Sequence, residues 1–162
     1  MLRSWADDAA AGSVSLQVLR IGHIYGVGED AYEKIIPVTL RKLIAGERPV
    51  LYSDGRELRS FLHVSDCCRF ILSTLEQTDE PGPINLASDK AMPLREIVAL
   101  LCDIHRNVTG QLITPDIQGS PLPTLDFMFD TQKMQGLLGE DSIALADGLL
   151  EEYLYFRSKL AV

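Results

Sequence analysis

Arg59 is the first residue whose type and position could do chemistry, because it stands alone inside an extended apolar run. The run follows Asp54-Gly55, a pair that predicts a turn, since glycine accepts a positive φ without steric cost. Alternation along the run places Arg59 on the same face as Phe61 and His63. From these residues alone, the pattern favours a surface arginine on a turn, strand and helix unit.

Tyr155 and Lys159 form a second pattern with chemical potential, the spacing Tyr-x-x-x-Lys. Residues four apart share a helix face, so an acid–base tyrosine assisted by a lysine is locally possible. The sequence predicts no strand after the pair that would build a site around it. We therefore interpret the spacing as a chance feature of an amphipathic terminal helix.

Three glycines, Gly22, Gly26 and Gly28, resemble a dinucleotide-binding fingerprint only loosely. They close a predicted strand with the wrong spacing, and the acidic pair at 29–30 would repel a phosphate.

The three histidines, His23, His63 and His105, lie far apart in sequence and show no ligand pairing. His63 lies four residues before Cys67, but no second ligand pair accompanies them, so the sequence predicts no zinc site. His105 lies on the apolar face of a predicted helix, where we expect a structural histidine.

The composition limits the classes of partner. The 162-residue chain has 15 basic and 23 acidic residues and a formal net charge of −8, which argues against nucleic acid or an anionic membrane. No apolar run approaches the roughly 20 residues that cross a bilayer, and no signal-peptide pattern opens the chain. Three cysteines without framework spacing fit a reducing cytosol, so we expect a cytoplasmic protein.

The hydrophobic pattern predicts an α/β fold in a single domain, residues 1–162, with a few short parallel or mixed strands and about five or six helices. A β-branched and aliphatic run over 14–25 predicts a strand buried on both faces, and a short strand is predicted over 111–117. Helical stripes predict helices, or parts of helices, over 1–11, 34–45, 67–76, from Pro93 to about 105, 131–138 and 145–159.

Several segments, in order, resemble the extended short-chain dehydrogenases/reductases, the NAD(P)-dependent sugar-nucleotide epimerase/dehydratase family. The segments are LRIGHIYGVGE at 19–29, EKIIPVTLRKLIAGERPVLYSDG at 33–55, RELRSFLHVSD at 56–66, GPINLA at 82–87 and DTQKMQGLLG at 130–139. The likeness runs from about Leu16 to the C-terminus and covers the C-terminal, substrate-binding half of that family. It implies a Rossmann-like α/β fold.

The resemblance also implies a site. Arg59 would clamp a diphosphate, since a guanidinium can bind phosphate through two parallel hydrogen bonds. The residues implied to line the nucleotide pocket are Lys34, Ile36, Val50 and Tyr52. Gly22 and His23 would lie at the cofactor, with His23 near the nicotinamide or the sugar. Plain core packing is an open alternative for Ile36 and Val50, and a surface aromatic for Tyr52.

This sequence departs from the family pattern at several positions. Ile21 stands where the family often has Pro, His23 where it often has Asn, and Ser60 replaces the Asp after Arg59. Many members carry a second Arg before the helix at 131–138, but residues 119–129 contain no Arg or Lys. A non-nucleotide carbonyl or alcohol substrate is therefore an open alternative.

The dinucleotide-binding half of the family, with its Gly-rich turn and catalytic Tyr-x-x-x-Lys, is expected upstream of Met1. We therefore expect NAD or NADP in a full-length parent, no tight cofactor binding by this chain, no catalytic residue in it and no turnover. The alternative is a non-catalytic binding or dimerisation module of the same fold. In either case the strand at 14–25 should expose an apolar edge, so we expect self-association.

Overall fold

The strands that carry the candidate residues form three small sheets in a computed structural model, which describes residues 16–76, 82–119, 123–138 and 142–160. The strands are β1 (Leu19–Ile21), β2 (His23–Tyr25), β3 (Val50–Leu51), β4 (Leu58–His63), β5 (Ile84–Leu86), β6 (Ala91–Pro93) and β7 (Asp116–Ile117). β1 pairs in parallel with β5, and β3 pairs in parallel with β7. β4 lies between parallel β2 and antiparallel β6.

Five α-helices in the described residues surround these strands. They are α1 (Ile35–Ile44), α2 (Val64–Glu76), α3 (Leu94–Thr109), α4 (Gln132–Leu138) and α5 (Leu145–Leu160), and a 3₁₀ turn spans Glu29–Ala31. Short parallel and mixed strands packed with five helices confirm the predicted α/β fold class. In the described ranges, no helix has the length and apolar character needed to cross a bilayer.

Two apolar cores lie on opposite faces of β4. The larger core joins α1, α3 and α5 to the face of β2 and β4 that carries Tyr25 and Phe61. The smaller core joins Leu62 on the other face to α2, β5 and α4. This division follows from strand geometry, because successive side chains point to opposite faces.

The prediction of one strand over 14–25, buried on both faces, is wrong for the described part of that range. Two three-residue strands form instead and separate at Gly22, because β1 pairs with β5 while β2 pairs with β4. Ile21 is 54% exposed, and β1 has β5 as its single strand neighbour in the described residues. Residues 1–15, including the predicted helix over 1–11, lie outside the described residues.

The prediction that α2 begins at residue 67 is also wrong. The helix begins at Val64, so Asp66 lies within it, where it is buried and accepts a hydrogen bond from the Ile143 amide at 2.9 Å. The helical spacing of Cys67, Ile71 and Leu75 predicts an inner stripe, but Leu75 is 71% exposed, whereas Phe70 is buried. The buried face of α2 is therefore rotated toward Asp66 and Phe70.

Other boundaries differ by smaller amounts. Pro93 ends β6 and immediately precedes α3, and the strand predicted over 111–117 is limited to Asp116–Ile117. On α5, helical spacing predicts an apolar stripe of Leu145, Leu149, Tyr153, Phe156 and Leu160. This stripe packs in the larger core except at Leu160, which is 48% exposed. Asp130 directly precedes the predicted helix at 131–138, a position that predicts a cap, and its carboxylate accepts a hydrogen bond from the Gln132 amide at 3.0 Å.

Candidate functional site

A pocket of about 330 Å³ brings together two of the predicted binding residues, Val50 and Tyr52. We call it the Tyr52 pocket, and its walls are Ile35, Val50, Leu51, Tyr52, Ser53, Glu57, Leu94, Pro123 and Thr124. Tyr52 is 72% exposed, so much of its ring is available for contact with another molecule. Apolar walls with a few polar groups are typical of small-molecule sites.

Ile36, also predicted to line this pocket, belongs to the larger core instead. It is 1% exposed, whereas its neighbour Ile35 is partly buried and lines the Tyr52 pocket. Consecutive helical residues point about 100° apart, so α1 directs one of the two side chains to the pocket and the other to the core. The prediction for Ile36 is therefore corrected to a packing role.

Lys34, the fourth residue of this predicted set, lines a different pocket of about 270 Å³, which we call the Glu29 pocket. Its Nζ atom forms an ion pair with Glu29 Oε1 at 2.7 Å and lies 4.7 Å from the centre of the Tyr32 ring. Because Glu29 already balances its charge, Lys34 is a weaker candidate for binding an anion than the sequence suggests.

Arg59 lies half-buried on β4, with its Nη1 donating to the carbonyl oxygens of Leu58 at 2.9 Å and Leu125 at 2.7 Å. In the described part of the chain, no carboxylate pairs with this guanidinium. Leu125 directly follows Pro123 and Thr124, which line the Tyr52 pocket. The arrangement gives a fixed positive charge, held by carbonyl groups, next to the segment that forms one pocket wall.

His23 lies on the same sheet face, beside Arg59. Its ring centre is 5.4 Å from that of Phe61, its register partner on β4, and 5.1 Å from that of Phe127. Burial and then the nearby Arg59 charge lower the pKa of His23, which favours the neutral imidazole at pH 7. His23 Nδ1 is buried and has no hydrogen-bond partner in the described residues, so a polar atom of this ring is left for another donor or acceptor.

Gly22, predicted with His23 as a cofactor contact, is packed against other parts of the chain. Its amide donates to the Leu86 carbonyl oxygen at 2.8 Å. A Cβ atom at position 22 would lie 2.9 Å from both Ala87 Cβ and Phe129 Cε2. Close packing is therefore sufficient to explain a glycine at position 22. A cofactor contact there stays a prediction.

The segment Pro123–Phe129, here called the β4 flanking segment, contains functional neighbours that the sequence did not reveal. Leu58 exchanges two hydrogen bonds with it, donating to Asp126 Oδ1 at 2.8 Å and accepting from the Phe127 amide at 3.0 Å. Leu125, Phe127 and Met128 are at least half exposed. The alternation of Phe127 and Phe129 was the one available signal that this segment runs beside a strand.

Glu57 is a second residue that sequence reasoning missed. It is 6% exposed in the wall of the Tyr52 pocket, and its Oε1 accepts a hydrogen bond from the Ser53 hydroxyl at 2.6 Å. Its position beside the predicted Asp54-Gly55 turn gave no indication of burial.

Tyr155 and Lys159 do not form an acid–base site. The Tyr155 hydroxyl donates to Asp30 Oδ1 at 2.9 Å, and Lys159 Nζ lies 5.7 Å from the centre of the Tyr155 ring. The hydrogen bond to Asp30 raises the pKa of Tyr155, the opposite of what a proton-transferring tyrosine requires. This agrees with the interpretation of the spacing as chance.

A larger pocket, of about 650 Å³, lies on the other side of β4, where Leu62 and Phe70 contribute to its wall. None of the residues predicted to bind substrate or cofactor lines it. Asp89 and Gln135, two of its polar residues, bond to each other at 3.0 Å. In the described ranges, no group of three or more His, Cys, Asp or Glu side chains could hold a metal ion.

Comparisons with known proteins place these residues in context. The profile of the NAD dependent epimerase/dehydratase family matches residues 2–87. The dTDP-4-dehydro-6-deoxy-D-allose reductase of Streptomyces bikiniensis is 28% identical over 144 residues, which cover 86% of this chain and 43% of that protein.

Solved structures show the same fold. UDP-N-acetylglucosamine 4-epimerase from Methanobrevibacter ruminantium M1, in complex with UDP-N-acetylmuramic acid, superposes with a TM-score of 0.81 at 22% identity, covering 98% of this chain and 50% of that one. UDP-glucose 4-epimerase from Thermotoga maritima, with UDP-glucose, gives a TM-score of 0.78 at 21% identity, with coverages of 98% and 50%. The chain therefore spans about half the length of the proteins it matches.

Proposed function

Because the chain belongs to the NAD-dependent epimerase/dehydratase family, we propose that it forms the substrate-binding half of an enzyme acting on a nucleotide sugar or a related carbonyl or alcohol substrate. The names of its relatives support this substrate class: one is a reductase of a dTDP-linked deoxysugar, and two similar structures hold UDP-linked sugars. Epimerase, dehydratase and reductase reactions all fit this proposal.

The observation that carries the proposal is the Arg59 guanidinium without a carboxylate partner in the described residues, beside the wall of the Tyr52 pocket. A half-buried cation attracts an anion more strongly than an exposed one, because water screens it less. The apolar walls and the Tyr52 ring suit a flat base, while Arg59 suits its phosphate groups.

NAD or NADP would supply hydride transfer when bound, and this half would enclose and orient the substrate. His23 is the residue that best fits a place near the reacting groups. Its pKa is lowered, it lies beside Arg59, and its buried Nδ1 has no hydrogen-bond partner in the described residues. Gly22 fits the cofactor less well, since Ala87 and Phe129 already contact it. We propose that the chain alone binds neither dinucleotide tightly, and a micromolar Kd in an NAD titration would contradict this.

Isothermal titration calorimetry with UDP, dTDP and UDP-glucose tests the proposed site. The Arg59→Ala variant should weaken binding about tenfold or more, equivalent to at least about 1.4 kcal/mol. Arg56→Ala is the matched control, because Arg56 is on the exposed turn and lies 3.5 Å from Asp54. Equal affinity of the wild-type protein and Arg59→Ala, or no binding of any of the three ligands, would overturn the proposal.

A second candidate is a non-catalytic binding or dimerisation module, which the exposed Ile21 on β1 favours. Such a module would associate with itself and show no nucleotide affinity. Because self-association is expected in both cases, the calorimetric titrations with nucleotides separate the two functions.

A further inference from the structure

Gly22 and Phe129 fill a single space at the break between β1 and β2. The Phe129 ring lies where a side chain at position 22 would begin, with Cε2 2.9 Å and Cζ 3.3 Å from the place of a Cβ atom. Gly22 is not among the glycines with positive φ. The close approach of the ring and of Ala87 Cβ, not the backbone conformation, therefore explains why glycine is required here.

Phe129 starts a chain of contacts that leads back to the candidate site. Its ring centre lies 5.1 Å from that of Phe127 in an edge-on arrangement, and Phe127 lies 5.1 Å from His23. The Phe127 amide donates to the Leu58 carbonyl oxygen at 3.0 Å. The ring pair therefore anchors the β4 flanking segment while its backbone bonds to the start of β4.

The same segment orients Arg59. The Leu125 carbonyl oxygen accepts a hydrogen bond from Arg59 Nη1 at 2.7 Å, and Asp126 Oδ1 accepts one from the Leu58 amide at 2.8 Å. A shift of the segment away from β4 would remove both bonds and free the guanidinium to rotate.

We infer that Gly22 and Phe129 are a size-matched positioning pair: the missing side chain of Gly22 admits the Phe129 ring, which holds the β4 flanking segment in place and thereby aims Arg59. Neither residue needs to touch a ligand for this role. The last step, in which Arg59 binds an anionic ligand, rests on the proposed function.

Amide hydrogen exchange followed by NMR tests the positioning role without any ligand. Gly22→Ala and Phe129→Leu should each speed exchange at the Phe127 and Leu58 amides about tenfold or more, while the amide of Leu101 in α3 keeps its protection. In Gly22→Ala/Phe129→Ala the contact with the ring is removed while the contact with Ala87 Cβ remains, so exchange should speed up by less than the product of the effects of Gly22→Ala and of Phe129→Ala alone. The inference would be overturned if exchange at the Phe127 amide did not change in the single variants, or if the Leu101 amide lost as much protection as the Phe127 amide. It would also be overturned if the exchange factors of the two single changes multiplied in the double variant.

Calorimetry with UDP supplies the second readout. The Kd of Gly22→Ala should rise several-fold and approach that of Arg59→Ala, whereas Gly136→Ala, an exposed glycine on α4, should bind like the wild-type protein. If the wild-type protein fails to bind UDP, the proposed function fails, and the exchange experiment still decides the role of the pair. If UDP binds and Gly22→Ala leaves the Kd unchanged, the link between this pair and Arg59 is wrong.

Discussion

Gly148 on α5 packs directly against the hydroxyl end of Tyr25 on β2, with no space for a side chain between them. A Cβ atom on Gly148 would overlap the Tyr25 hydroxyl and lie 2.8 Å from His63 Cδ2. Glycine inside a helix costs about 1 kcal/mol relative to alanine, so close packing explains its presence here. The contact fixes α5 on the strand pair β2 and β4, which carries His23 and Arg59.

Gly148→Ala should lower the free energy of unfolding by about 1–3 kcal/mol, because adding atoms to a filled core forces its neighbours to move. Gly136→Ala is the control: a Cβ there would meet nothing within 4 Å, and the change should add about 0.5–1 kcal/mol. Urea unfolding followed by circular dichroism measures both. A neutral Gly148→Ala would show that the Tyr25 contact can relax without cost.

Glu152, on the buried side of α5, makes stability depend on pH. It is fully buried on the inner side of the helix. Burial and then the charge of Glu29 raise its pKa from 4.5 to about 8, while the backbone amide of Gly26 and then Lys34 act in the opposite direction. The folded state therefore binds more protons than the unfolded state between about pH 4.5 and pH 8, so this contribution to stability falls as pH rises through that window.

Glu152→Gln should remove this loss and stabilise the protein at pH 8.5 by about 2 kcal/mol relative to the wild-type protein, with a smaller gain at pH 5.5. Glu151→Gln is the matched control, because the neighbouring Glu151 side chain is 57% exposed. Urea unfolding at pH 5.5, 7.0 and 8.5 provides the comparison. The prediction would be contradicted if the free energy of unfolding changed with pH in the same way for the wild-type protein and Glu152→Gln.

His105 is the structural histidine that the sequence predicts, because its Nδ1 lies 2.9 Å from the buried Tyr153 hydroxyl. Tyr153→Phe should destabilise the protein by about 1–3 kcal/mol, since it leaves a buried ring nitrogen without its partner. Tyr155→Phe, which removes an exposed hydrogen bond to Asp30, should cost about 0.5 kcal/mol or less. Thermal unfolding ranks the two variants, and equal losses would disprove the assigned role of the pair.

We expect self-association through the exposed strand β1. Ile21 is 54% exposed beside an edge without a strand partner in the described residues, and such edges pair readily with other chains. Ile21→Lys should shift the protein toward monomer, whereas Leu112→Lys, at a 69% exposed position after α3, should not. Light scattering after size-exclusion chromatography measures both. A wild-type protein that stays monomeric at high concentration would refute the prediction.

The elements with long periodic patterns were predictable from the sequence, and the short ones were less so. The helices predicted at 34–45 and 145–159 have apolar stripes that pack in the larger core. Their observed ends differ from the predicted ends by at most one residue. The split at Gly22 was not predictable, because it depends on which strand each half pairs with. The same reason applies to β6, where a three-residue strand forms against β4 without a sequence signal.

In the candidate site, too, some features were predictable from the sequence and others depend on tertiary contacts. Arg59, Val50 and Tyr52 were predicted through motif order, and the structure places the last two in one pocket. The difference between Ile35 and Ile36 depends on a rotation of α1 that a motif does not specify. The burial of Glu57 is set by tertiary packing around its turn, which local sequence does not encode.

The break at Gly22 also determines how a load applied to β1 would reach β2. A chain that paired with the open side of β1 would pull on residues 19–21 and on their bonds to β5. β2 has its own register, with His23 opposite Phe61, and the Phe129 ring packs on the glycine that joins the two strands. A change in assembly at the outer strand would therefore act on the imidazole and guanidinium groups through Gly22 and this ring.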